Sequence, residues 1–191
     1  MVAYDKTPGW FNSDDFYFNK IIESNYDAIK KECDFLIENN LFVPHLQSKE
    51  TAVAHTDATP ILANKWNIFD LGGSGRFSSK AKELVPFTCK LLETFPEITS
   101  CEKGKVYFSM IPGNAKVAPH YSMLKHYERY RHQLCLQTVE GVDAFIEVSG
   151  DQRGWTQGKC ISFDDAFIHH VENNSEYTRI VLIYDSVDIR K

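Results

Sequence analysis

The chain predicts a mainly β architecture, a sandwich or jelly roll buttressed by N-terminal helices. Three features lead there. An apolar periodicity near the N-terminus has helical spacing, the character changes at Lys103, and short β-rich runs then follow one another closely, divided by turn residues.

Asn12-Ser13-Asp14-Asp15 offers helix caps. Phe18, Ile21, Ile22, Tyr26, Ile29, Cys33 and Leu36 then recur on one face, so one amphipathic helix is expected, ending near Asn39-Asn40. Leu41 to Asn64 carries Pro44 and Pro60 without a sustained period and reads as extended or looped chain. Trp66 to Leu71 alternates like a strand, ended by Gly72-Gly73-Ser74-Gly75. A second helix is expected from Ser78-Ser79 to Thr94, interrupted at Pro86 and closed by Phe95-Pro96. The β-rich runs are Val106–Ile111, Val117–Tyr121, Tyr130–Thr138, Val142–Val148, Gly154–Thr156, Cys160–Phe163, Ala166–Val171 and Thr178–Val187. The whole reads as a single domain over 1–191, with a helical and extended buttress over 1–100 and a β core over 103–188.

Composition narrows the function classes. Hydrophobic content of 43% and charged content of 25% are ordinary for a globular chain of 191 residues. A net charge of -5 argues weakly against a polyanion as the main partner, and no Lys/Arg-rich run supports a nucleic-acid reading, so none is expected. Met1 to Pro8 lacks the apolar stretch of a signal peptide, and no run approaches membrane-spanning length. Cys33, Cys89, Cys101, Cys135 and Cys160 are odd in number, scattered and free of any Cys-x-x-Cys, so reduced thiols in a cytoplasmic protein are expected. Oligomeric state is not encoded in any of these features.

Chemistry concentrates in the last third. His120 and His169 lie on separate strand-like runs, and two neutral imidazoles leave a transition metal several open positions. Pro119 stiffens the approach to His120, and Asp165 can accept a hydrogen bond from a metal-bound water or an imidazole N–H. Arg179 sits in the apolar run Thr178 to Tyr184, where a cation is costly to bury without a partner, and its guanidinium suits a bidentate carboxylate. Arg131 invites the same reading, although Arg129 and Lys125 nearby make a solvated basic face an equally simple one. His170 is adjacent to His169 and should point to the opposite face, which argues against a three-histidine zinc site.

With these residues assembled, the chain resembles the aspartyl/asparaginyl β-hydroxylase family, Fe(II)- and 2-oxoglutarate-dependent oxygenases with a double-stranded β-helix, or cupin-like, fold. The resemblance runs from Trp66 to Asp185 through Trp66-x-x-Phe69-x-Leu71, the segment Thr88 to Glu97, Phe108-Ser109, Pro119-His120, Phe163-Asp164-Asp165-x-Phe167-x-His169 and Arg179-x-x-x-Ile183-x-Asp185. It implies His120 and His169 as iron ligands, and Arg179 with Ser109 on the distal carboxylate of 2-oxoglutarate. It also implies Arg131 near that co-substrate's other end, Trp66 lining its pocket, and Asp165 as a carboxylate behind the ligands. Ser122 stands where the family has glycine and related oxygenases have a third, acidic ligand. Gln133 stands where the family has a histidine beside the co-substrate; neighbouring His132 should face the other way. O2 would be the oxidant, and the implied substrate is an Asp/Asn-type residue in a peptide, or a free amino acid. A halogenase, another oxidative tailoring enzyme or a non-catalytic metal- or carboxylate-binding barrel are the alternatives. The loop Tyr121 to Glu128, with Lys125, His126 and Tyr127, is expected to face the substrate.

Overall fold

The computed structural model describes residues 2–45, 66–139, 141 and 143–188. The expected loop across 46–64 lies outside the described residues. Strand β1 (Trp10–Phe11) leads through a 3-10 turn at Ser13–Asp15 into helices α1 (Tyr17–Ser24) and α2 (Tyr26–Glu38). β2 (Val43–Pro44), β3 (Asn67–Gly73) and β4 (Arg76–Phe77) precede α3 (Ser79–Leu84), α4 (Pro86–Glu93) and α5 (Pro96–Thr99). The remaining strands are β5 (Lys105–Ile111), β6 (Ala115–His120), β7 (Tyr130–Gln137), β8 (Ala144–Val148), β9 (Asp151–Gly154), β10 (Cys160–Phe163), β11 (His169–Asn173) and β12 (Arg179–Ser186).

The expected first helix is broken in two. Asn25 leaves helical geometry (φ −105°, ψ 16°), and its amide donates to the Ile21 carbonyl at 2.8 Å, a local bond that competes with the helical ladder. The second expected helix divides at Pro86, which opens α4 as its first residue. Glu32 caps that new start from α2, accepting from Phe87 N at 2.7 Å and Thr88 N at 2.8 Å. Pro96, expected to close the helix, also opens α5. Two strands are displaced from their expected positions: β9 ends at Gly154 rather than starting there, and β11 begins only at His169. An Asp164-to-Phe167 turn, closed by Phe167 N on the Asp164 carbonyl, occupies the residues before it.

Among the described residues the strands form two antiparallel sheets. One runs β1-β10-β7-β12-β5-β3-β2 with β4 on β3; the other runs β6-β11-β8-β9. The large sheet takes strands from both sides of residue 100, since β3 pairs along β5 and β1 along β10. Alternation gives this sheet two buried faces. Its outer face (Phe108, Leu134, Leu182, Tyr184) packs on α1, α2 and α4 through Ile22, Leu36 and Leu92. Its inner face (Tyr107, Cys135, Val181, Ile183) meets Val117, Ile146 and Val171 of the small sheet. The architecture is thus a jelly roll with helices against one wall. All five cysteines are buried free thiols. No described helix is long and apolar enough to cross a membrane.

Candidate functional site

His120 ends β6 and His169 begins β11, directly opposite each other in the ladder. The next pairing is Val171 with Val117, so β6 carries one more residue than β11 over this stretch. That bulge matters for aim. Val117 faces the interior, and three residues of regular strand would turn residue 120 outward; the extra residue restores its inward direction. Pro119 lies in the bulge, where a missing N–H costs no ladder bond.

The two imidazole centroids are 4.2 Å apart. His120 Nδ1 lies 2.7 Å from the Ala118 carbonyl and His169 Nδ1 lies 2.8 Å from the Phe167 carbonyl. A carbonyl only accepts, so each Nδ1 carries the proton and each Nε2 keeps its lone pair. Burial holds both rings neutral, lowering His120 and pushing His169 down to about 3, where the neighbouring His120 imidazole adds to the effect. Among the described residues no three His, Cys, Asp or Glu side chains gather as a metal-ligand set. Two nitrogen donors are therefore what the described protein residues present.

Beside them lies a buried quartet of charges. Arg131 is bidentate on Asp185 (Nε to Oδ1 2.9 Å, Nη2 to Oδ2 3.0 Å) and reaches Asp165 Oδ2 with Nη1 at 3.0 Å. Arg129 donates to both oxygens of Asp165, to the Lys103 carbonyl at 2.6 Å, and lies 3.3 Å from Asp185. Two guanidiniums thus balance two carboxylates. Burial alone would raise the Asp165 pKa; Arg131 and Arg129 outweigh it and hold this carboxyl well below the usual range. Asp165 is an ionised acceptor. Its carbonyl accepts from Ser122 N at 2.7 Å, and the Ser122 hydroxyl accepts from Leu124 N and Arg129 Nη2. Ser122 anchors a loop.

Arg179 differs. It is 2% exposed on the inner face of β12, and among the described residues its Nε and Nη1 have no hydrogen-bond partner. Burial pushes its pKa down to about 10. Its guanidinium carbon lies 4.6 Å from the centre of the Trp155 ring. Trp155 N–H donates to Gln133 Oε1 at 3.0 Å. Ser109 is buried on β5 opposite Val181 and accepts from Trp66 Nε1 at 3.0 Å. Trp66 in turn lies 6.4 Å from the His120 ring. Arg179, Ser109, Trp155 and the imidazole pair all border the inner apolar cluster.

A cleft of about 770 Å³ opens onto this region. Its wall includes His120, His169, Asp165, Arg131, Trp66 and Tyr107. Ser109, Gln133 and Arg179 are not on that wall; Tyr107, which shares the inner face of the large sheet, is.

The structure corrects several expectations. Arg129 and Arg131 are not a solvated basic face but the buried halves of ion pairs, and Arg131 already engages two carboxylates, Asp185 and Asp165. Residues 129 and 131 share strand parity, a signal that could have placed Arg129 inward. Only the first part of the Tyr121 to Glu128 loop lines the cleft, through Tyr121, Ser122, Met123 and Leu124. Lys125 is exposed, His126 packs on Phe167, and Tyr127 stacks on Tyr4. Lysines at the cleft are instead Lys103 and Lys105. Trp155 carried no signal in the sequence, because its contact joins segments far apart in the chain. His132 faces the helices, bonded at both nitrogens to Ser162 and Ser186. His170 lies on the other face from the pair, 3.8 Å from Glu147 and Glu172.

Fold and site together define a double-stranded β-helix whose mouth presents two inward imidazoles. The chain belongs to the aspartyl/asparaginyl beta-hydroxylase family, whose model matches residues 23–188. It is 32% identical to the aspartyl/asparaginyl beta-hydroxylase of Homo sapiens over 120 residues, covering 63% of this chain and 15% of that protein. It is 29% identical to the ornithine lipid ester-linked acyl 2-hydroxylase of Rhizobium tropici over 171 residues, covering 87% of this chain and 56% of that one. The chain therefore spans less than two thirds of the length of these curated relatives. Among solved structures, the DMSP lyase DddQ of Ruegeria pomeroyi DSS-3 superimposes with a TM-score of 0.50 at 12% identity, over 97% of this chain and 70% of that one, a likeness of fold.

Proposed function

We propose that this chain is an Fe(II)- and 2-oxoglutarate-dependent dioxygenase that hydroxylates an unactivated C–H bond. The expected position is the β-carbon of an Asp/Asn-type residue in a peptide, or of a free amino acid. The observation that carries this reading is Arg179, a buried guanidinium whose Nε and Nη1 are unpaired among the described residues. A cation held at that cost is matched by a ligand carboxylate. The donor set fits the group: two neutral imidazoles with free Nε2 atoms suit iron(II) and leave room for a chelating co-substrate.

His120 and His169 would hold the metal through Nε2. Arg179 would grip the distal carboxylate of 2-oxoglutarate, with Ser109 beside it and Trp66 walling the pocket. When bound, iron and 2-oxoglutarate supply the oxidation by O2, the co-substrate leaving as succinate and CO2. Asp165 stays ionised and would accept a hydrogen bond from a donor near His169, while the quartet keeps it from moving. Ser122 has its hydroxyl turned to Arg129 and Leu124, and holds the rim rather than the metal. Buried free thiols support a reducing, cytoplasmic setting.

The test is succinate formation and a one-oxygen mass gain with iron(II), 2-oxoglutarate and a panel of Asp/Asn peptides, free amino acids and acyl amides. Product with one class identifies the substrate. No succinate with any of them, together with no manganese binding, overturns the proposal in favour of a non-catalytic barrel.

A further inference from the structure

Arg179 is interior, and its guanidinium lies over an aromatic ring. Its guanidinium carbon stands 4.6 Å over the Trp155 indole, and that indole is 3% exposed. The indole itself is fixed, because its N–H donates to Gln133 Oε1 at 3.0 Å and Gln133 is 4% exposed. The three side chains come from β12, β7 and the segment after β9, so the ladder alone does not bring them together.

A ring under a guanidinium stabilises its charge through the π face and consumes none of its N–H donors. An aspartate in the same place would stabilise the charge more strongly but would occupy the donors, as Asp185 does for Arg131. The arrangement therefore solves a specific problem: it keeps a buried cation oriented while leaving Nε and Nη1 open. Gln133 completes it, since an amide oxygen accepts the indole N–H at every pH, whereas a histidine nitrogen does so only when unprotonated.

We propose that Trp155, locked by Gln133, is a positioning residue for Arg179 that sets the preference for a ligand with a second carboxylate. This rests on the reading of Arg179 given above. Trp155 presents a flat platform and Arg179 makes the ionic contact; Gln133 acts only through Trp155.

The experiment compares binding of 2-oxoglutarate with that of 2-oxopentanoate, which keeps the keto acid but lacks the distal carboxylate. Titration calorimetry on the manganese-loaded full chain reads both without turnover. Wild type should favour 2-oxoglutarate. Trp155→Leu should narrow that preference by roughly 3- to 30-fold, the loss expected for a buried cation–π contact. Trp155→Phe should fall between the two, and Gln133→Leu should narrow the preference by a smaller factor. In an Arg179→Met background, Trp155→Leu should change the ratio no further. A merely structural tryptophan would weaken both ligands alike, so folded Trp155→Leu with an unaltered ratio overturns the proposal. Where Trp155→Leu does not fold, unaltered ratios in both Trp155→Phe and Gln133→Leu overturn it. A wild type without any preference for the dicarboxylate removes the Arg179 reading itself, an outcome distinct from the previous two.

Discussion

Arg131 and His132 on β7 can be set against Arg179 and His169 on β12 and β11. All four are buried cation-forming side chains, from 0% to 8% exposed. The first two are saturated: Arg131 donates to two carboxylates, and His132 is bonded to Ser162 at 2.8 Å and Ser186 at 2.9 Å. Among the described residues the second two are incomplete: Arg179 has two unpaired nitrogens, and His169 has a hydrogen bond at Nδ1 alone. Burial and residue type do not separate the pairs; unused hydrogen-bonding capacity does. A saturated buried charge belongs to the scaffold, and an unsaturated one points to a guest.

The sharpest way to break this contrast is to delete each guanidinium. Arg131→Met should cost about 3–5 kcal/mol in urea unfolding, because it leaves Asp185 and Asp165 with one cation between them. Arg179→Met should not lower unfolding stability and should abolish at least about 100-fold of 2-oxoglutarate-dependent turnover. Equal stability losses in both would erase the distinction.

The histidines provide a pH test. Burial pushes His132 down to about 3, with the Arg131 charge adding to it, from an unfolded value of 6.5. Between those values the unfolded chain binds the extra proton, so stability is lost as pH falls from 6.5 toward 3. The slope is about 1.4 kcal/mol per pH unit for each such histidine. His132→Phe should flatten part of that acid limb, while His169→Ala should remove manganese binding at pH 7. A His132→Phe limb as steep as wild type would count against a neutral buried imidazole there. Asp165 works at still lower pH: its depressed pKa means its contribution is present above the unfolded value of 3.8 and fades below it. Asp165→Asn should therefore shed only the most acidic part of the curve.

The smallest effects belong to the rim. Charge reversal at Lys125 should leave KM for an anionic substrate within about twofold, and reversal at Lys105 should raise it by about three- to tenfold. The opposite ranking would restore the outer part of the 121–128 loop as a substrate wall.

Much of the fold was legible because strand alternation and turn residues are local signals. Eight strands expected after Lys103 occur in order, and Cys160–Phe163 keeps its expected limits. Helix ends were partly legible: the interruption at Pro86 carries its own signal, whereas the break at Asn25 goes with a local side-chain bond. In the site, His120, His169, Arg179 and Ser109 are all found bordering the inner cluster, each carried by its own strand pattern. Pairing across strands has no such local signal. Arg129 looked solvent-facing until Asp165 and Asp185 stood beside it, and Trp155 was silent until Arg179 lay over it. Gln133 was expected beside the co-substrate; its side-chain oxygen is engaged by Trp155 instead.

The extra residue of β6 near Pro119 has a bearing on how this gene segment can vary. Substitutions at Ala118 or Pro119 leave the count between Val117 and His120 intact, whereas loss or gain of one codon there reverses which way the imidazole looks. The same single-codon change in the exposed stretch around Lys125 alters only a loop. At this end of the barrel the direction of the imidazole depends on length rather than on chemical identity, and a deletion scan would reveal it where a substitution scan would not.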